Sequence, residues 1–145
     1  MKPLKGKEKQ VKSVKLTSIM EDYLEAIYEL SRETGFARVK DIAQRLQVRM
    51  PTVTSMLKTL AEKEVIKYEK YGSVVLTRNG EEIGKATRAR HDVLLSFLHD
   101  ILKVDFDIAN EEACIMEHAL SSATLMKLTK FVESMLSKDN CKSEE

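Results

Sequence analysis

Cys114, Glu117 and His118 stand at i, i+3 and i+4, and their neighbours Ile115, Met116, Ala119 and Leu120 are apolar. On a helix that spacing gathers a thiol, a carboxyl and an imidazole on one face, a donor set suited to a transition-metal cation. The first amphipathic segment repeats the device. At about 100° per residue, Met20, Tyr23, Leu24 and Ile27 share one side while Asp22 and Glu25 share the other. His91 lies at the edge of the apolar stripe of an intervening helical segment, placed to complete the set. The candidate metal ligands are therefore Asp22, Glu25, His91, Cys114, Glu117 and His118. Each alone has a plainer reading, as a surface acid, a small buried thiol or a solvated imidazole; only their conjunction points to a metal. His99 has no partner in the pattern and reads as surface, and Cys141 sits in a polar tail. No nucleophile stands beside a base and no phosphate-binding loop is present, so the chain reads as no enzyme, with no small-molecule substrate.

The elements that must carry these groups follow from periodicity and punctuation. Ser18-Ile19-Met20-Glu21 reads as a capping box opening a first helix that Thr34-Gly35 ends. Val39–Leu46 reads as a short second helix, Gln47-Val48-Arg49 as a turn, and Pro51 as the start of a third helix running to about Lys63. Two β-branched and aromatic runs, from Val65 to Tyr71 and from Val74 to Thr77, flank Gly72-Ser73 and predict a hairpin. From Gly80 the pattern is helical to about Leu102, breaks over residues 103–107, and resumes in helices over 108–120 and 122–135.

Helix, short helix, tight turn, helix and hairpin make a winged helix-turn-helix, the order of a DNA reader. Val53, Leu57 and Leu60 would hold the third helix to the core. Its other face then offers Pro51, Thr52, Thr54, Ser55 and Lys58, with Lys40, Arg49 and Lys70 beside it as further contacts to double-stranded DNA. A winged helix can also bind protein, which is the alternative from another class. The expected architecture is mainly α. A basic arm (1–15) precedes a DNA-binding winged helix (16–80), a helical dimerisation and metal-binding domain (81–136) and a polar tail (137–145).

The bulk numbers agree. Net charge is +1 over 145 residues, but residues 1–90 carry 19 Lys/Arg against 12 Asp/Glu while residues 91–145 carry 5 against 11. A basic front half suits a polyanionic partner. No apolar run approaches the roughly 18 residues of a membrane span. The lysine-rich N-terminus lacks the apolar core of a secretory signal, and the two distant cysteines do not form a disulfide framework. A cytoplasmic protein without a membrane partner is expected.

Met20-Glu21-Asp22-Tyr23-Leu24-Glu25-Ala26-Ile27-Tyr28, Ala37-Arg38-Val39-Lys40-Asp41-Ile42-Ala43 and Tyr68-Glu69-Lys70-Tyr71 resemble the diphtheria-toxin-repressor family of metal-dependent regulators, in its short two-domain branch. Glu111-Glu112-Ala113-Cys114 with Glu117-His118 and Leu120-Ser121 is similar to the metal helix of iron-type members. The resemblance covers roughly residues 17–136. It implies a homodimeric repressor of palindromic operator DNA, with Asp22, Glu25, His91, Glu117 and His118 on ligand positions of the manganese branch. Cys114 falls where that branch has glutamate and iron-type members have cysteine. Leu95 and Asn110 replace an ancillary-site glutamate and histidine of iron-type members.

Hard carboxylates suit Mn(II), and a thiolate favours Fe(II), Co(II) or Zn(II). The expected order is Mn(II), then Fe(II), with Zn(II) or Co(II) after them. Without a cation, the acids of the first helix would face Glu117 and repel across a domain junction. A cysteine-redox regulator that binds no metal, with Cys114 as sensor, is the competing account.

Overall fold

The computed structural model describes residues 15–69 and 72–142. Its elements are α1 (Ser18–Ser31), β1 (Ala37–Arg38), α2 (Val39–Leu46), α3 (Met50–Glu62), β2 (Ile66–Tyr68), β3 (Ser73–Leu76) and α4 (Arg78–Leu95). A π-helical turn (Ser96–Ile101), α5 (Phe106–Met116) and α6 (Ser122–Lys142) follow. The fold is mainly α with one antiparallel sheet of order β1-β3-β2, registered as Ala37 with Val74, Lys67 with Val75 and Tyr68 with Val74. The sequence pattern does not predict β1, because two residues are too few to show alternation.

α1 opens one residue earlier than its sequence suggests. The hydroxyl of Thr17 accepts the Met20 N–H at 3.2 Å, so Thr17 is the cap and the expected box from Ser18 to Glu21 does not form. Glu21 is thereby free to turn elsewhere. α2 ends on Gln47 in the left-handed region (φ 54°), and the Val48 N–H donates to the Ala43 carbonyl at 3.1 Å. This tight reversal delivers α3, whose first turn tolerates Pro51 because its missing N–H has no partner there. Val53, Leu57 and Leu60 repeat along one side of α3 and are buried with Leu24, Ile27, Ile42, Val65 and Val74 in the larger core.

α4 lies directly on α1. Gly80, Gly84, Thr87, His91 and Leu94 recur at intervals of three and four and are all buried. A Cβ on Gly84 would stand 2.7 Å from the Leu24 carbonyl oxygen and 2.9 Å from the Tyr28 Cβ, closer than real contacts allow. Glycine is therefore what lets the two helices meet. Their close approach carries His91 and Arg88 to the acidic side of α1.

The chain then departs from an uninterrupted helix to Leu102. The α-helix gives way to the π turn, and Lys103 (φ 62°) lets the Val104 N–H donate to the Leu98 carbonyl at 2.9 Å. His99 is no idle surface residue: its Nδ1 is 2.9 Å from the Val104 carbonyl and its ring meets Phe106 edge-on at 5.4 Å. α5 runs from Phe106 to Met116, shorter than the expected 108–120 at its far end. Glu117–Ala119 form a turn, but Glu117 N–H still donates to Ala113 O at 3.0 Å and Leu120 N–H to Met116 O at 3.3 Å. The shared face of Cys114, Glu117 and His118 thus survives the end of the helix. α6 continues past Met135 to Lys142; the side chain of Cys141 lies outside the described residues.

Leu94, Leu98, Ala109 and Ala113 form a second, smaller core. Around it Phe106, Ile108, Ile115, Met126 and Phe131 stay exposed.

Candidate metal centre and DNA-facing helix

Three elements bring the six candidate ligands to one place: α1 supplies Asp22 and Glu25, α4 supplies His91, and the end of α5 supplies Cys114, Glu117 and His118. His91 Nδ1 lies 3.0 Å from Glu117 Oε2 and 3.5 Å from Cys114 Sγ. His118 Nε2 lies 2.7 Å from Asp22 Oδ1 and 3.2 Å from Glu117 Oε1. Two clusters result, His91–Cys114–Glu117 and Asp22–Glu117–His118, each with donor atoms within 4.8 Å of one another and both sharing Glu117. Glu25 belongs to neither cluster, but it lines the same cleft as Asp22, His91 and Cys114.

Burial sets the electrostatics. His91 is 3% and Glu117 1% exposed, whereas Cys114 sits at the open rim, not in the core. Burial and the charge of Glu117 push the Glu25 carboxyl up to about 7, against the partial relief of His91 and Arg88. Hydrogen bonds to Cys114 and Glu117 push His91 up to about 10, outweighing burial. Burial lowers His118, but the hydrogen bond and charge of Asp22, with Glu117 and Glu21, raise it overall. Protonated imidazoles thus stand in as counter-charges to converging carboxyls.

These residues fit a divalent cation. Oxygen, nitrogen and sulfur donors converge, carboxyl groups crowd together, and Glu117 Oε1 is buried without a hydrogen-bond donor. His118 Nε2 is close to that oxygen, yet its hydrogen-bond geometry is to Asp22. A buried acceptor left unsatisfied is costly unless something absent from the chain completes it.

Comparison with known proteins decides the family. Residues 15–74 match the family model for the iron dependent repressor, N-terminal DNA binding domain. Residues 77–142 match that for its metal binding and dimerisation domain. The chain is 39% identical over 128 residues to the HTH-type transcriptional regulator MntR of Bacillus velezensis, covering 88% of this chain and 89% of that protein. The chain belongs to the iron-dependent repressor family. It is accordingly a metal-dependent transcriptional regulator and not an enzyme, and neither the redox reading without metal nor a protein-binding winged helix is favoured.

Solved structures agree. That of the manganese regulator SloR superposes with a TM-score of 0.71 at 32% identity, covering 79% of this chain. A manganese-dependent transcriptional repressor in complex with manganese gives 0.68 at 28% identity, also covering 79%. The chain spans about half the length of those two chains, 53% and 52%. Within the family's two-part frame, the smaller core and exposed apolar side chains fall in the segment that matches the dimerisation domain.

On the DNA-binding part, Lys40, Arg49, Pro51, Thr52, Ser55 and Lys58 are exposed on or beside α3. Thr54 is half-buried and its hydroxyl donates to the Met50 carbonyl at 3.1 Å, which leaves its oxygen able only to accept. Lys70 lies outside the described residues. Lys67 on β2 and Arg78 at the start of α4 are exposed cations flanking the wing.

Sequence reasoning missed the residues surrounding the donors. Glu21 Oε2 is 3.3 Å from His118 Nδ1 and 3.5 Å from Arg90 Nη1. Asn110 Oδ1 is 2.8 Å from His91 Nε2. Arg88 reaches Glu25 at 3.7 Å, Glu29 at 3.6 Å and Asp92 at 3.1 Å. The acids of α1 therefore do not face the junction uncompensated, as expected: guanidinium groups from α4 hold Glu21, Glu25 and Glu29, and His118 holds Asp22. For Asn110 the sequence offered its i, i+4 spacing to Cys114 and its place at an ancillary-site position of the family; neither pointed to His91.

Proposed function

We propose that this regulator is a homodimeric repressor switched on by Mn(II), with Fe(II) next in preference. Asp22, Glu25, His91, Cys114, Glu117 and His118 would hold the metal, and the protein would act in the cytoplasm on palindromic operators of metal-uptake genes. The observation that carries this reading is the buried, donor-less Glu117 Oε1 at the point where the two donor clusters meet. Carboxyl oxygens from Asp22, Glu25 and Glu117 outnumber the single thiol, and hard donors favour manganese. The similarity to SloR, a manganese regulator, and to the manganese-dependent repressor points the same way.

When bound, the cation supplies positive charge and a crosslink, and no bond-breaking chemistry. The residues do the rest. α1 and α4 are already packed through Gly84, so the joint lies between that pair and the end of α5. Asp22 and Glu25 hold α1 to this joint, His91 holds α4, and Cys114, Glu117 and His118 hold α5. Fixing the joint fixes where α3 stands relative to the dimerisation helices. In a two-fold dimer the two α3 helices must meet major grooves about 34 Å apart. Lys40, Arg49, Lys58 and Lys70 would contact phosphates, while Pro51, Thr52, Thr54 and Ser55 would face base edges. The units are proposed as a DNA reader over 16–80 and a metal and dimer unit over 81–136, flanked by the basic arm (1–15) and the tail (137–145).

The test is operator binding followed by fluorescence anisotropy during titration with Mn(II), Fe(II), Co(II) and Zn(II). Tightening of DNA binding by Mn(II) is expected, and by linkage DNA must tighten metal binding equally. Operator affinity that no metal alters would overturn the reading.

A further inference from the structure

Each histidine of the cluster uses one ring nitrogen on the donor set and the other on a side chain outside it. His118 directs Nε2 to Asp22 and Glu117 while Nδ1 meets Glu21 Oε2 at 3.3 Å. His91 does the reverse, directing Nδ1 to Glu117 and Cys114 while Nε2 meets Asn110 Oδ1 at 2.8 Å. An imidazole can offer a lone pair at one nitrogen only if the proton sits on the other, and the partner of that second nitrogen decides which is which.

We infer that Glu21 and Asn110 are positioning residues that lock His118 and His91 in opposite tautomers and so present Nε2 of one and Nδ1 of the other to the cation. The inference rests on the metal reading above. Both partners are acceptors here. The Glu21 carboxylate accepts from His118 Nδ1–H, and the Asn110 amide oxygen accepts from His91 Nε2–H. Glu21 is not drawn to the start of its own helix, because Thr17 caps α1. Arg90 Nη1, 3.5 Å from the same Glu21 oxygen, holds the carboxylate in place from α4. The Glu21–His118 pair also bridges parts of the chain 97 residues apart, so Glu21 joins α1 to the end of α5 independently of Asp22. Asn110 lies one turn before Cys114 on α5, and its amide fixes His91 from the flank opposite Glu117. The two partners leave each ring a single orientation in which it can serve.

The experiment is long-range proton–nitrogen NMR of histidine-labelled full-length protein, with diamagnetic Zn(II) as the probe metal, together with Zn(II) affinities of variants. Zinc is expected to move the Nε2 signal of His118 and the Nδ1 signal of His91, leaving protons on Nδ1 and Nε2 respectively. Glu21→Ala and Asn110→Leu should each lower zinc affinity about 10- to 100-fold. Glu21→Gln and Asn110→Asp, which keep an acceptor oxygen, should recover most of that affinity and retain the wild-type nitrogen pattern, which a merely structural role would not require. Zinc ligation through the opposite nitrogens, or unchanged affinity in both acceptor-less variants, would overturn the tautomer assignment and leave the metal reading intact. Zinc that moves neither imidazole of the unsubstituted protein would overturn both.

Discussion

The His91 imidazole and the Glu117 carboxyl meet at 3.0 Å inside the protein, although 26 residues separate them in the chain. The pair is a proton-holding form of the proposed metal site. Hydrogen bonds to Cys114 and Glu117 keep the His91 proton until about pH 10, and burial keeps the Glu25 proton until about pH 7. A cation must displace both, and also the proton that Asp22 and its neighbouring carboxyls hold on His118. Metal affinity should therefore rise with pH, by about tenfold per unit for each proton displaced. The slope should be steeper below pH 7, where Glu25 adds its proton, and should flatten as pH approaches 10. Calorimetry in buffers of different ionisation enthalpy measures the released protons directly. An affinity that stays constant from mildly acidic to mildly alkaline pH would contradict this account.

Glu117 belongs to both donor clusters, so its removal should damage the site more than the roughly 10- to 100-fold typical of an outer partner. Glu117→Gln keeps the volume and removes the charge. It should abolish metal-stimulated operator binding while leaving a folded dimer by circular dichroism and sedimentation, and His118→Ala should do the same. Stimulation that persists in both variants would remove them from the site.

Cys114 is the one soft donor and stands at the exposed rim. Cys114→Glu should move the order of metal activation towards Mn(II) and away from Zn(II) and Co(II), because a hard oxygen replaces a thiolate. Anisotropy titrations with each metal would reveal the order; one identical to the parent protein would exclude sulfur from coordination.

Lys58 is exposed on α3 and is proposed to meet a phosphate. Lys58→Ala should weaken binding to all DNA sequences alike and lower the log–log salt slope by about 0.9 for each phosphate that the lysine neutralises. A slope equal to that of the parent would place Lys58 away from the backbone.

At Gly84 the α1–α4 seam has no room for a methyl group. Gly84→Ala should cost about 1–3 kcal/mol as the helices separate, visible as a lower Tm. Because Asp22 and His91 lie on the two separated helices, metal affinity should fall as well. Unaltered stability would mean the seam can shift without strain.

Much of this was legible in one dimension because helices repeat locally. The i, i+3, i+4 spacing of Cys114, Glu117 and His118, the shared side of Asp22 and Glu25, and the burial period of α3 depend on neighbours within two turns, and each element formed close to where its pattern placed it. Part of what failed was equally local in cause, and part was tertiary. Two-residue β1 left no pattern, and Ser18 and Thr17 offer nearly the same hydroxyl one position apart. The end of α5 at Met116 and the π turn before it depend on how α4, α5 and α6 pack.

By itself, then, the sequence determined the elements, their chemistry and the set of groups able to bind a cation. Only the tertiary structure decided that Glu21 serves His118 instead of a helix cap, that Asn110 backs His91, and that Arg88 and Arg90 compensate the acids of α1. The physical reason is range. Helical periodicity is written by bonds four residues apart, whereas the nitrogen an imidazole presents is set by a partner up to 97 residues away, and only packing brings that partner within hydrogen-bonding reach.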